Sequence, residues 1–125
     1  MNIIITGACG HIGTFLAEKF RFEKNIKNIY LIDNISSKNY NFFFKKNKIK
    51  KFKFHFIDIT KKNFLNIFKN IDVVIHCASM TNAAQSFNVK NEMYRNNLGC
   101  FKNVIEYCMK KKVKLIHFSS TSVYG

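Results

Sequence analysis

The chain has 125 residues, 47% of them apolar, no proline or tryptophan, and a formal net charge of +14. That length suits one globular domain burying roughly two-thirds of its unfolded surface, and no apolar run approaches the roughly 20 residues of a membrane span. The charge invites a nucleic-acid reading, but Lys 19, Asn 16, Ile 16 and Phe 14 supply 65 of the residues against two arginines, a skew that resembles drift toward A- and T-rich codons and leaves the lysines as a solvated face.

In chain order, Ile3, Ile4 and Ile5 have the stiff branched side chains of a buried strand, predicted over 2–6. The apolar run stops at Thr6, too short for a signal-peptide core, so a cytoplasmic protein is expected. Gly7, Gly10 and Gly13 follow, and Ile12, Phe15, Leu16 and Phe20 then recur at helical spacing, predicting a helix over 11–22. Glycines at such a join let the chain turn sharply and bring backbone N–H groups against a pyrophosphate, which the helix dipole favours. A second apolar run predicts a strand over 28–33 ending in Asp33, 20 residues beyond Gly13, the separation at which a carboxylate reaches the adenosine ribose hydroxyls. Strand, glycine turn, helix and acid together read as a dinucleotide site.

The stretch 36–47 reads as irregular or helical. Up to Lys53, lysines interleave with Phe42, Phe43, Phe44 and Phe52, a pattern of packed rings and solvated amines more often than a base-stacking platform. Strand 52–57, helix 61–69, strand 71–77, helix 86–110 and strand 113–119 complete the order. Regular alternation of strand and helix predicts an α/β fold, a doubly wound parallel sheet ordered 3-2-1-4-5 with the ligand at the carboxyl ends of its strands. The last helix carries Val89, Met93, Asn97, Cys100, Phe101, Val104, Ile105 and Cys108 on one face, so Asn97 needs a hydrogen-bond partner. Cys9, Cys77, Cys100 and Cys108 lack disulfide or Cys-x-x-Cys spacing, and the adjacent His76 and Cys77 point to opposite faces of a strand, so no metal is expected.

The runs ITGACGHIG, VVIHCAS, NNLGCFKNVIEYC and IHFSSTSVYG, with Asp33 and the pair Asp58-Ile59, resemble the NAD-dependent epimerase/dehydratase family of extended short-chain dehydrogenases, in order and spacing over essentially the whole chain. The resemblance implies the N-terminal Rossmann part of such an enzyme, residues 1–125, acting with NAD on a nucleotide-sugar-like substrate by transient hydride transfer. It implies that Gly7, Gly10, His11, Ile12 and Gly13 hold the pyrophosphate and Asp33 the ribose, favouring NAD over NADP. Asp58 and Ile59 would flank the adenine, Ala78 and Ser79 would pass the nicotinamide side, and Asn97 would brace the backbone beside it. Ser120 takes the position of the catalytic hydroxyl, and Tyr124 that of a structural turn.

In the family the acid–base pair is a Tyr-x-x-x-Lys beyond this point, so the chain is expected to be an N-terminal piece that binds NAD without turnover. Tyr107-x-x-x-Lys111 matches the spacing but precedes the serine motif and reads as coincidence. The resemblance also implies a smaller substrate domain and allows a homodimer in the complete protein; neither a nucleic-acid nor a membrane partner is expected. A non-catalytic dinucleotide-binding module and an NADPH-dependent reductase of the same superfamily stay open as alternatives.

Overall fold

The computed structural model describes residues 1–39, 48–80 and 86–119. Its strands are β1 (Asn2–Thr6), β2 (Asn28–Asp33), β3 (Phe52–Phe56), β4 (Val73–His76) and β5 (Lys114–His117); its helices are α1 (His11–Phe20) and α2 (Ser86–Lys111). The strands form one parallel sheet in the expected order β3-β2-β1-β4-β5.

Alternation along β1 divides the core. Ile3 and Ile5 point to one face, where they pack with Ala17 of α1, Ile29, Leu31 and Cys9. Ile4 points to the other, with Val104, Tyr107 and Cys108 of α2, Leu65 and Val74. A strand buried on both faces has no polar side to alternate with, which is why β1 reads as an unbroken isoleucine run. The helix face read from the sequence is the one that packs: Cys100, Val104 and Cys108 are buried, and Phe101 and Ile105 are half-buried. All four cysteines are free thiols.

The helix expected over 61–69 is instead a single 3-10 turn, Phe64–Ile67, and this corrects the sequence reading. Asn63 and Asn70 bracket it in left-handed conformations, φ 64° and 56°, and no side chain caps its start. So short a segment, broken by asparagines, gains too few hydrogen bonds to offset nucleation, and it is held instead by burying Leu65 and Phe68. The expected edges of β4 (71–77) and β5 (113–119) also shrink, to 73–76 and 114–117. Phe42, Phe43 and Phe44 lie outside the described residues.

Candidate functional site

A cleft of about 570 Å³ opens at the carboxyl ends of the strands, where β1 and β4 lead their loops to opposite sides of the sheet. Its first wall is the loop after β1. Gly7 adopts φ +67°, and a Cβ there would lie 2.7 Å from the backbone of Ala78. A Cβ on Gly13 would meet the carbonyl oxygen of Gly7 and come within 2.8 Å of the Ala8 Cα. Glycine is therefore required at both positions, for the turn at one and for the close seating of helix on loop at the other. Gly10 donates its N–H to Gly7 O (3.1 Å) and starts α1 with no side-chain cap. The first N–H groups of a helix have no intrahelical acceptor, so this wall offers donors and a positive dipole end to an anion.

Asp33 ends β2 across the cleft, and its carboxylate is already engaged: Oδ2 accepts from the Cys9 N–H (2.9 Å) and Oδ1 from the Ile35 N–H (2.7 Å). Each oxygen retains a lone pair for a further donor. The same carboxylate, second to burial, pushes the Cys9 thiol up to about 12, so that thiol stays protonated and inert. Ala8 N–H donates to Ile32 O (3.2 Å), which completes the tie between the glycine loop and β2.

Asp58 follows β3. Its Oδ1 accepts from Thr60 Oγ1 (2.7 Å) and Thr60 N–H (2.9 Å), bonds that hold the carboxyl below its usual range. The neighbouring Ile59 is buried, and its carbonyl accepts from Asn103 Nδ2 of α2 (2.9 Å). The loop after β4 brings Ala78 and Ser79 to the cleft. Asn97 does not line it. Its amide instead clasps Met80 twice, Oδ1 accepting from the N–H (2.7 Å) and Nδ2 donating to the carbonyl (3.2 Å), and this satisfies the polar group on the helix face.

Gly7, Gly10, His11, Ile12, Gly13, Asp33, Asp58, Ile59, Ala78 and Ser79 are thus brought to one cleft by different loops, whereas Ser120 lies outside the described residues. Asn34, Ser36 and Ser37 after β2 and Glu92, Asn96 and Cys100 of α2 also line the cleft and were not read from the sequence. Their positions just past a strand or on the inner face of α2 were the available signal. Tyr107 is spent elsewhere: its hydroxyl donates to Phe68 O (3.2 Å) and burial pushes it up to about 12, so its spacing to Lys111 carries no acid–base role.

Beneath the cleft His76 is buried, its Nδ1 paired with Thr6 Oγ1 at 2.7 Å and its ring stacked on His117. Burial, then the neighbouring His117, push His76 down to about 4, so the imidazole is neutral at pH 7.

The model of the NAD dependent epimerase/dehydratase family matches residues 3–125. The UDP-glucose 4-epimerase of Yersinia enterocolitica is 30% identical over all of this chain and 38% of its own length. The dTDP-D-glucose 4,6-dehydratase of Dictyostelium discoideum is 35% identical over 99% of this chain and 30% of its own. Among solved structures, UDP-glucuronic acid 4-epimerase from Bacillus cereus, in complex with UDP-glucuronic acid and NAD, superposes on the whole chain with a TM-score of 0.89 at 26% identity, over 42% of that chain. The chain therefore spans about two-fifths or less of the length of these relatives. With the glycine loop, the sheet order and a match over nearly every residue, it belongs to the NAD dependent epimerase/dehydratase family.

Proposed function

We propose that this chain binds NAD in the cleft and is the cofactor part of an enzyme that epimerises or dehydrates a nucleotide sugar. The observation that carries the reading is the cradle at Gly7 and Gly13, which any Cβ would fill, facing a carboxylate on the neighbouring strand. Gly7, Gly10, His11, Ile12 and Gly13 hold the diphosphate on the first turn of α1. Asp33 takes the adenosine ribose hydroxyls on its spare lone pairs, and its negative charge disfavours a 2′-phosphate, so NAD is preferred over NADP. Asp58 and Ile59 receive the adenine, and Ala78 and Ser79 flank the nicotinamide half. Asn97 acts at one remove, by fixing Met80 and so the course of the loop. Bound NAD would supply a reversible hydride acceptor for a sugar carbon.

Ser120 is proposed, from its match to the family's serine motif alone, to supply the catalytic hydroxyl of the complete enzyme. The complete protein is proposed to be cytoplasmic and to take its nucleotide-sugar substrate in a second domain. Calorimetric titration of the purified chain with NAD and NADP tests the cofactor reading. Saturable binding of NAD, weaker binding of NADP and loss of both in Gly10→Val/Asp33→Ala are expected. Unchanged NAD affinity in that double variant would overturn it.

A further inference from the structure

The opposite end of the sheet, away from the cleft, gathers unpaired positive charge. Hydrogen bonds set the starts of the strands side by side: Ile29 N–H donates to Lys51 O (2.8 Å), Lys27 N–H to Met1 O (2.7 Å), Asp72 N–H to Asn2 O (2.9 Å) and Lys114 N–H to Asp72 O (3.3 Å). At the spacing of neighbouring strands this row is roughly 20 Å long. Both helices run back to the same end, so Lys110 and Lys111 close α2 beside β5 and Lys112 follows them. Lys69 stands just before β4. Lys27, Lys69, Lys112 and Lys114 are exposed, and none has an ion-pair partner among the described residues. The acids beside the row are Glu23, Asp72 and, one helical turn before Lys110, Glu106.

Large apolar side chains protrude from the same end. Met109, in the last turn of α2, is 75% exposed, Phe22, just past α1, is 70% exposed, and Met1 is 54% exposed. Lysines in the last turn of a helix have an ordinary reason in the helix dipole. That reason covers Lys110 and Lys111, and Lys51 before β3 gives its ammonium to the Glu23 carbonyl (2.6 Å), but neither accounts for Lys27 and Lys69 before β2 and β4 or for the exposed Phe22 and Met109.

We infer that this basal face docks on an anionic lipid bilayer, with the lysines over headgroup phosphates and Phe22 and Met109 entering the interface. Mixed lysine and protruding apolar groups match both layers of such a surface. A nucleic acid would use the charge, but methionine neither stacks on nor reads a base. The chain also has only two arginines, one of which, Arg21, lies over the Phe22 ring at 4.3 Å. The inference is independent of the cofactor reading, since the two surfaces lie at opposite ends of the strands.

Co-sedimentation of the chain with vesicles tests it, comparing pure phosphatidylcholine with phosphatidylcholine carrying about a third phosphatidylglycerol. Binding to the anionic vesicles alone is expected, falling at least tenfold at about 0.5 M salt, where charges are screened within a few ångströms. Lys110→Gln/Lys111→Gln/Lys112→Gln/Lys114→Gln should weaken it at least tenfold and Phe22→Ser/Met109→Ser several-fold, whereas Lys61→Gln/Lys62→Gln, beyond β3, should leave it unchanged. Circular dichroism confirms that each variant is folded, and the salt titration of the unaltered chain stands whether or not they fold. Equal binding to both vesicle types, no binding to either, an equal loss in the Lys61/Lys62 variant, or displacement from vesicles by a random RNA oligonucleotide would each overturn the inference.

Discussion

The two walls of the cleft are held in place by opposite means. The glycine loop after β1 depends on atoms that are missing: Gly7 and Gly13 have no room for a Cβ. The wall formed by the loop after β4 and by α2 depends on side chains that are present, the amide of Asn97 on Met80 and that of Asn103 on Ile59. Adding atoms should therefore break the first wall, and removing them should loosen the second. The first wall is a close-packed constraint with no partial solution, whereas the second is a set of hydrogen bonds that can be lost one at a time.

The largest effect is expected for Gly13→Val. Its Cβ would overlap the Gly7 carbonyl and the Ala8 backbone, neither of which can move without shifting β1. A loss of more than about 3 kcal/mol of stability and no measurable NAD binding are expected, read by urea denaturation and calorimetry. If Gly13→Val instead melts like the parent, the contrast between the walls fails.

Asp33→Ala removes an acceptor from the Cys9 and Ile35 N–H groups at once. Loss of about 2 kcal/mol in stability and at least about tenfold in NAD affinity is expected. Asp33→Asn, which keeps the acceptors in part and drops the charge, should recover most of the stability but little of the preference for NAD over NADP.

Acid tests the seam between the walls, where Thr6 of β1 meets His76 of β4. Burial and His117 hold His76 at about 4 in the folded chain, below its ordinary 6.5. Between those values the unfolded chain takes up a proton that the folded chain refuses, so this stability is complete above pH 6.5 and falls as the pH drops toward 4, by at most about 3 kcal/mol. Denaturation midpoints from pH 7.5 to 4 check this, and a His76→Gln variant should show a flatter profile over that window.

Smaller losses should follow on the second wall. Asn97→Ala frees both polar groups of Met80 and should cost about 1–2 kcal/mol. Tyr107→Phe loses one hydrogen bond to Phe68 and should cost about 1 kcal/mol. Hydrogen exchange in residues 78–80 should rise more in the first variant than in the second, because the Asn97 amide bonds both polar groups of Met80 whereas the Tyr107 hydroxyl bonds Phe68.

The glycine loop, Asp33 and the sheet order were legible in the sequence because each rests on local rules: a Cβ-free turn, an acid 20 residues on, and strands alternating with helices. The partner of Asn97 was legible only as a need, since a polar group on a packed helix face must be bonded but does not announce its acceptor. The segment 61–69 was misread because its Phe64, Leu65 and Phe68 spacing fits a helix, while its asparagines and short length favoured a tight turn stabilised by docking. Glu92, Asn96 and Cys100 were not assigned to the cleft from the sequence because their spacing shows only that α2 has a packed face, while which of its turns stand over the cleft is set by how the helix seats on the sheet.

By itself the sequence determined the kind of fold, the parallel order of its strands and the chemistry of the phosphate turn, because steric exclusion and side-chain alternation act between near neighbours along the chain. Only the tertiary structure decided that Asp33 already clasps the glycine loop, that Tyr107 is spent on Phe68, and that lysines scattered through the sequence stand in one row at the far end of the sheet. Such pairings join residues dozens of positions apart, and which of them meet is set by how the whole sheet packs its helices rather than by any local preference.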